Sequence, residues 1–395
     1  MRPLAAVLVG SLLGLQLGIA ASAEQTANDL IATDATTDSD GRALRVANNG
    51  IDTPDCGLSH PCRSIGQAIT NADEGDTILV GPGRYGDLNA NGIFGDPGEE
   101  RLDSEGCLVC ITKSLVVVST QGAASTIIDA AGNLTAGLLN AVSVSADGAI
   151  FGRRDRGFTI TNSPENGLRV ASARRVRIEG NVALGNGASG FFFEPSEGLI
   201  RVSRNISVDN DTGFSVFGPN MAGASGRVEL FRNVASRNTT SGFFFAAVEG
   251  ITVTHRVLQN IASQNGVFGN FTGNGITIGA SGLLIEDNTI TGNVIGVLVG
   301  EGASRLLGNT IAGNLVFEVQ LSAGADAGNR LNENNLFGGP FSGCVVDNQS
   351  EERVDARNNY WGTPSGPTPS IEFVCTAPDL VRIEPIAKNA FPTKP

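Results

Sequence analysis

The hexapeptide Asn205-Ile-Ser-Val-Asp-Asn210 has five companions in the chain, at 181–186 (NVALGN), 233–238 (NVASRN), 260–265 (NIASQN), 288–293 (NTITGN) and 309–314 (NTIAGN). Each opens and closes on Asn, and successive leading asparagines are 24, 28, 27, 28 and 21 residues apart. Short alternating segments flank the motif. Val176-Arg177-Ile178, Ile200-Arg201-Val202 and Val228-Glu229-Leu230 precede it; Phe191-Phe192-Phe193, Phe214-Ser215-Val216 and Phe243-Phe244-Phe245 follow it, each after a glycine. Period-two alternation marks strands, and its return every 21–28 residues marks a solenoid with several strands per turn. Stacked turns lie one strand spacing apart, about 4.8 Å. An Asn at the same corner of every turn tolerates left-handed backbone and can hydrogen-bond to its copies above and below. Leucine-rich repeats share the period but need recurring leucines, where these turns use Phe, Val and Ile. The predicted fold is all-β, a right-handed parallel β-helix.

Composition agrees. Of 395 residues, 52 are Gly, 41% are hydrophobic and 17% charged, enough apolar material for a continuous core. Lys+Arg number 27 against 40 Asp+Glu, for a net charge of −13, and only Lys113, Lys388 and Lys394 are lysines. An acidic chain without a lysine-rich run argues against nucleic acid as a partner.

Residues 1–23 read as a secretory signal peptide, with Arg2, an apolar run from Leu4 to Ala20, and the small-x-small triplet Ala21-Ser22-Ala23. No later stretch is long and apolar enough to span a membrane. The expected location is secreted or periplasmic. Residues 24–42, rich in Thr and Asp, read as a flexible leader, 43–388 as the β-helix and 389–395 as a tail. Six cysteines in an exported chain favour disulfides, and proximity pairs Cys56 with Cys62, Cys107 with Cys110 and Cys344 with Cys375. Cys107-Leu-Val-Cys110 also has the spacing of a redox or zinc motif. Ser64-Ile-Gly-Gln67 fits a capping box, and Ile65, Ala68, Ile69 and Ala72 follow at helical spacing. A short helix over 64–74, stopped by Gly75, is expected to cover the N-terminal end of the solenoid.

The stretch from Ala43 to Gly86, containing CGLSHPCRSIGQAITNADEGDTILVGPGRYG, resembles the opening segment of pectin-lyase-like β-helix proteins, and RNNYWGTPSGP (357–367) resembles a segment that recurs near their end. With the Asn repeats the resemblance spans roughly 43–388. It implies the fold and leaves the function open, because many chemistries share this scaffold.

The repeat register assigns faces. Counted back from each leading Asn, positions −5 and −3 point inward and −4 outward. The −4 column reads Arg177, Arg201, Glu229, Arg256, Leu284, Arg305. Such a stripe can hold the carboxylates of an acidic polysaccharide in guanidinium forks; it equally fits a solvated ladder in which Glu229, Glu179 and Glu286 pair with the arginines. Phe192 and Phe244 fall on outward positions of the strands that follow the glycines, suited to sugar rings or to cover by the loop between Gly218 and Gly226. His255 takes an inward −5 position, open to three readings: a buried hydrogen-bonded residue, a bulge that turns it outward, or a catalytic base. No catalytic residue is assigned. The paired aspartates of polygalacturonase-like hydrolysis are missing, Asp209 with Asp211 being the nearest approach, and no lyase or epimerase motif is present.

One further signal is local. Asp87-Leu-Asn89-Ala-Asn91-Gly92-Ile93 opens like a calcium loop, D-x-[DN]-x-[DN]-G, within an insertion at 86–106. Asp87, Asn89, Asn91, Ile93 (through its carbonyl), Asp96 and Glu99 are the expected ligands of a structural calcium ion. The acidic residue of loop position 12 is displaced: Gly98 stands there, with Glu99 and Glu100 just beyond.

The chain thus reads as an exported β-helix that binds extracellular or cell-envelope carbohydrate. The alternatives are a polysaccharide lyase or glycoside hydrolase acting on a polysaccharide, with or without uronate, and an adhesive or purely structural surface protein.

Overall fold

A computed structural model describes residues 41–89, 91, 93–130, 139–219, 225–248, 251–266, 273–338, 344–366 and 374–394. The signal and most of the leader expected from the sequence lie outside these residues. The unit running from Asp40 to Thr393 is a stack of coils with three parallel sheets of 13, 10 and 10 strands among the described residues. One coil shows the plan. Arg177–Glu179 joins the first sheet, Val182–Leu184 the second and Ser189–Glu194 the third, after which Leu199–Ser203 pairs in parallel with Arg177–Glu179 to begin the next coil. The coil is right-handed, the hand that strand twist imposes on nearly every crossover between parallel strands of one sheet.

Alternation within each strand builds the core. Val176, Ile178, Ile200, Val202, Val228 and Leu230 are buried while the residue between each pair turns outward. In the third sheet Phe191, Phe214 and Phe243 occupy one register position and stack with centroids 4.9 and 5.0 Å apart. Aligned strands bring like residues together at the strand spacing, which is also a favourable offset-stacking distance.

The corners are held by asparagine. Asn181, Asn205, Asn233, Asn260, Asn288, Asn309, Asn334 and Asn359 form one ladder between the first and second sheets. In a typical rung the Asn233 Oδ1 accepts from Asn205 Nδ2 at 3.1 Å and Asn205 N at 2.9 Å, while Asn233 Nδ2 donates to the Val202 carbonyl at 2.9 Å. The residue before several of these asparagines has positive φ, as at Arg204 (54°), Arg232 (56°) and Asp287 (57°), so the corner is a left-handed residue followed by a buried amide. Asn334 and Asn359 extend the ladder by two coils beyond the six repeats picked out in the sequence. A second ladder runs from Asn186 through Asn210, Asn238, Asn265 and Asn293 to Asn314. Five residues after Asn334 stands Gly339 rather than another Asn, and the second ladder ends instead on Glu318, which accepts from Asn314 Nδ2.

The N-terminal end is closed by helix α1 (Ile65–Asn71), which buries Ile65, Ala68 and Ile69. Ser64 caps it, accepting from Gln67 N at 3.2 Å. The reciprocal half of the expected capping box is replaced: Gln67 turns to Asn71, and the Ser64 N–H goes to Asp52 at 2.9 Å. The helix stops short of 74 because Ala72 is already extended, and Lys113 Nζ donates to the carbonyls of Ile69, Thr70 and Ala72 at 3.0, 3.0 and 2.6 Å. All six cysteines are bonded, 56 to 62, 107 to 110 and 344 to 375.

Two outcomes test the ladders. Asn233→Ala strips the acceptor from two buried donors of Asn205 and should cost about 3 kcal/mol or more in urea unfolding, whereas Arg227→Ala, on an exposed position of the same coil, should stay within about 0.5 kcal/mol. Equal costs would show that the amides are not what holds the coils. Burial pushes the Glu318 carboxyl up from 4.5 to about 7. A raised carboxyl favours the proton-bound folded state, so its contribution is full below pH 4.5 and is lost as pH climbs through about 7. Glu318→Gln should flatten the fall in stability between those values, measured by unfolding at pH 5 and pH 8.

Candidate functional site

The outward row of the first sheet has the register read from the repeats. Arg177 pairs with Arg201, Arg201 with Glu229, Glu229 with Arg256, Arg256 with Leu284 and Leu284 with Arg305. The row then continues past the repeats, Arg305 to Arg330, Arg330 to Asp355 and Asp355 to Arg382. Its middle is neutralised. Glu229 sits between two guanidinium groups, 3.9 Å from Arg201 and 3.4 Å from Arg256. Two positions nearer the corner, Glu179 takes Arg204 at 3.0 Å. These pairs are half exposed and individually weak, so they order the side chains without removing them from a ligand.

Phe192 and Phe244 lie on another face. They belong to the outward row of the third sheet, in register Arg169, Phe192, Ser215, Phe244, Thr277, Leu298. The structure therefore does not bring the aromatic and arginine halves of the predicted site together: strands that follow one corner and strands that precede another cannot share a sheet. Phe217 inserts between the two rings, with centroids 5.2 Å from Phe192 and 5.3 Å from Phe244. Both faces of the central ring are thereby occupied, and the stack is largely an outer rung of packing rather than a platform for sugar rings. Beside it Arg169 holds Glu194, with Nε donating at 2.8 Å. The described flanks of the 218–226 loop include cis Gly218-Pro219; residues 220–224 lie outside the described ones.

His255 is buried and both ring nitrogens are used. Nδ1 accepts from Val228 N at 3.1 Å, and Nε2 donates to the Gly218 carbonyl at 2.9 Å. Burial lowers its pKa from 6.5 to about 4, so the ring is neutral at physiological pH. It ties a loop to the solenoid wall and takes no part in a surface site. Asp209, the nearest approach to an acid–base pair in the sequence, is held by Arg237 through bonds of 2.9 and 2.8 Å.

In the insertion the residues read as calcium ligands bond to one another. Asn89 and Asn91 donate their amides to the same Asp96 Oδ2, each at 3.0 Å, while their own oxygens accept from the backbone N–H groups of Asn91 and Ile93 at 2.8 and 2.7 Å. Asp87 is buried; Glu99, also buried, accepts from Leu88 N and Asn89 N at 2.9 and 3.3 Å. Glu100 leaves the loop and accepts from Ile65 N and Gly66 N of helix α1 at 2.6 and 2.9 Å, a capping role that no local pattern announced. Burial pushes its carboxyl up to about 7. Among the described residues no three Asp, Glu, His or Cys side chains are grouped to hold a metal ion, and calcium has no part in the function proposed for this chain.

A model of the family described as periplasmic copper-binding protein (NosD) matches residues 104–260, about two fifths of the chain. No curated protein sequence matches. Solved structures similar to this one include a rhamnogalacturonan lyase (TM-score 0.55, 11% identity, 88% of this chain and 87% of that one). Others are the GH136 lacto-N-biosidase of Eubacterium ramulus (0.53, 12%, 88% and 67%) and the Dettilon tailspike protein (0.51, 12%, 75% and 57%). At these identities the likeness is one of fold. Three parallel sheets, asparagine corners and these neighbours give the chain the right-handed parallel β-helix fold.

Proposed function

We propose that this is an exported, carbohydrate-binding β-helix that holds an acidic polysaccharide along the arginine row of its first sheet. The observation that carries the reading is the row itself. Arg177, Arg201, Arg256, Arg305, Arg330 and Arg382 stand outward on one continuous sheet of a protein whose net charge is −13. Rungs repeat at about 4.8 Å, so a linear polymer laid across them meets guanidinium forks on six of the nine rungs from Arg177 to Arg382, each suited to a carboxylate. The signal-like N-terminus, three disulfides and the periplasmic family matched over 104–260 support export to the periplasm. No helix among the described residues is long and apolar enough to cross a membrane.

Copper, named for the matched family, does not fit the residues described. Copper sites draw on thiolate, thioether and imidazole ligands. Here every cysteine is in a disulfide, both nitrogens of His255 are engaged, and His60 stands exposed beside Ser59, its Nδ1 3.0 Å from that hydroxyl. No step of the reading runs through a metal.

Binding rather than cleavage is the favoured activity, because Glu179, Glu229 and Asp355 on the arginine face are each held by an arginine. Replacing Arg201 and Arg256 by Ala should weaken binding of polygalacturonate several-fold and flatten its salt dependence, while folding stability moves by about 1 kcal/mol or less. Unchanged affinity of the double variant for every anionic glycan that the wild type binds would reject the arginine face. Release of unsaturated ends or reducing sugar during the same incubations would replace binding by a lyase or hydrolase reading.

A further inference from the structure

We propose that the C-terminal end of the arginine row is a built oxyanion site, formed by Arg330, Arg353 and Arg382, that anchors one carboxylate of the acidic sugar chain; the proposal rests on the function just argued and adds its fixed point. A concavity of about 510 Å³ opens there. Four arginines (330, 353, 357 and 382) line it against two aspartates, 355 and 379. One aspartate is already spent: Arg357 holds Asp355 with two bonds of 2.8 Å, keeping its carboxyl down at about 2. The other three arginines are exposed, and among the described residues no carboxylate pairs with them.

Several arginines nearer the middle of the solenoid are neutralised. Arg169, Arg174, Arg201, Arg204, Arg237 and Arg256 each have an acidic partner. Toward the C-terminal end Arg305 and Arg330 lie directly opposite one another on neighbouring strands, as Arg177 and Arg201 do earlier in the row, and neither Arg305 nor Arg330 is neutralised among the described residues. Like charges across a strand pair destabilise a sheet. A bound anion relieves that repulsion, so the free protein carries a cost that its ligand removes. Asp355 lies between Arg330 and Arg382 in the row, and its carboxylate is bonded to Arg357. Carboxylate is the chemistry such forks fit best, since a planar oxyanion takes two parallel N–H bonds from one guanidinium.

The test titrates trigalacturonate, polygalacturonate, inorganic sulfate and neutral dextran into wild type, Arg353→Ala/Arg382→Ala and Arg201→Ala/Arg256→Ala, with circular dichroism and melting temperature confirming the fold. The trisaccharide should bind wild type and lose roughly tenfold or more in Arg353→Ala/Arg382→Ala, corresponding to about 1.4 kcal/mol, a larger loss than in Arg201→Ala/Arg256→Ala. Arg353→Lys/Arg382→Lys keeps the charge without the fork and should fall between. Wild-type affinity for the trisaccharide in Arg353→Ala/Arg382→Ala would overturn the anchor, and if polygalacturonate still depends on Arg201 and Arg256 the proposed function survives it. Binding of sulfate but neither galacturonate ligand would overturn the anchor as a sugar site. Binding of no acidic glycan by the wild type would overturn the anchor and the proposed function together.

Discussion

An asparagine buried at a corner must find partners for one oxygen and two amide hydrogens with no water to help, and in this protein it finds them in the coils on either side. The Oδ1 of each rung accepts a backbone N–H and an amide N–H from the coil before it, and the Nδ2 reaches back to a strand carbonyl. The demand recurs in every coil, so each coil depends on the next in the same geometry. Alignment of the corners then forces alignment of the strands that leave them, and alignment of the strands puts like side chains in columns. The core phenylalanine stack and the arginine row are consequences of that one constraint.

A ladder must also end. One closes on Asn359, whose amide turns to the carbonyls of Leu331 and Ala356. The other closes on Glu318, a buried carboxylate that accepts from Asn314 and is pushed toward its neutral form. At the opposite end of the solenoid, Glu100 and Lys113 serve the two termini of helix α1, which is too short to satisfy its own backbone. Titratable groups with shifted pKa are therefore not confined to functional sites here. Glu100, Glu318 and His255 are closures and ties of the scaffold, and the surface row proposed to bind a ligand is made mainly of arginines.

Much of this was legible in the residues. Asparagines five apart at 181–186 through 309–314, with alternating apolar segments on both sides, determine a stack of parallel coils, because only stacked coils satisfy an amide repeated at that interval. The inward and outward assignment at positions −5, −4 and −3 follows from strand alternation and holds at Val176, Arg177 and Ile178. Asn334 and Asn359 could have been found by the same spacing, each 25 residues past the last, but the residues after them depart from the hexapeptide.

What sequence could not determine is which columns share a sheet and which groups reach across coils. Phe192 and Arg201 are nine residues apart, yet a corner between them turns the chain and puts them on different faces. Glu100 and Ile65 meet across 35 positions, and Glu318 takes an asparagine's place from four residues beyond Asn314. Arg353 and Arg382 lie in no repeat and gather with Arg330 around one concavity only because three successive coils stack there. Periodicity is a local property of the chain and fixes the coil; the partner of a side chain depends on the stacking of coils, which only the tertiary structure decides.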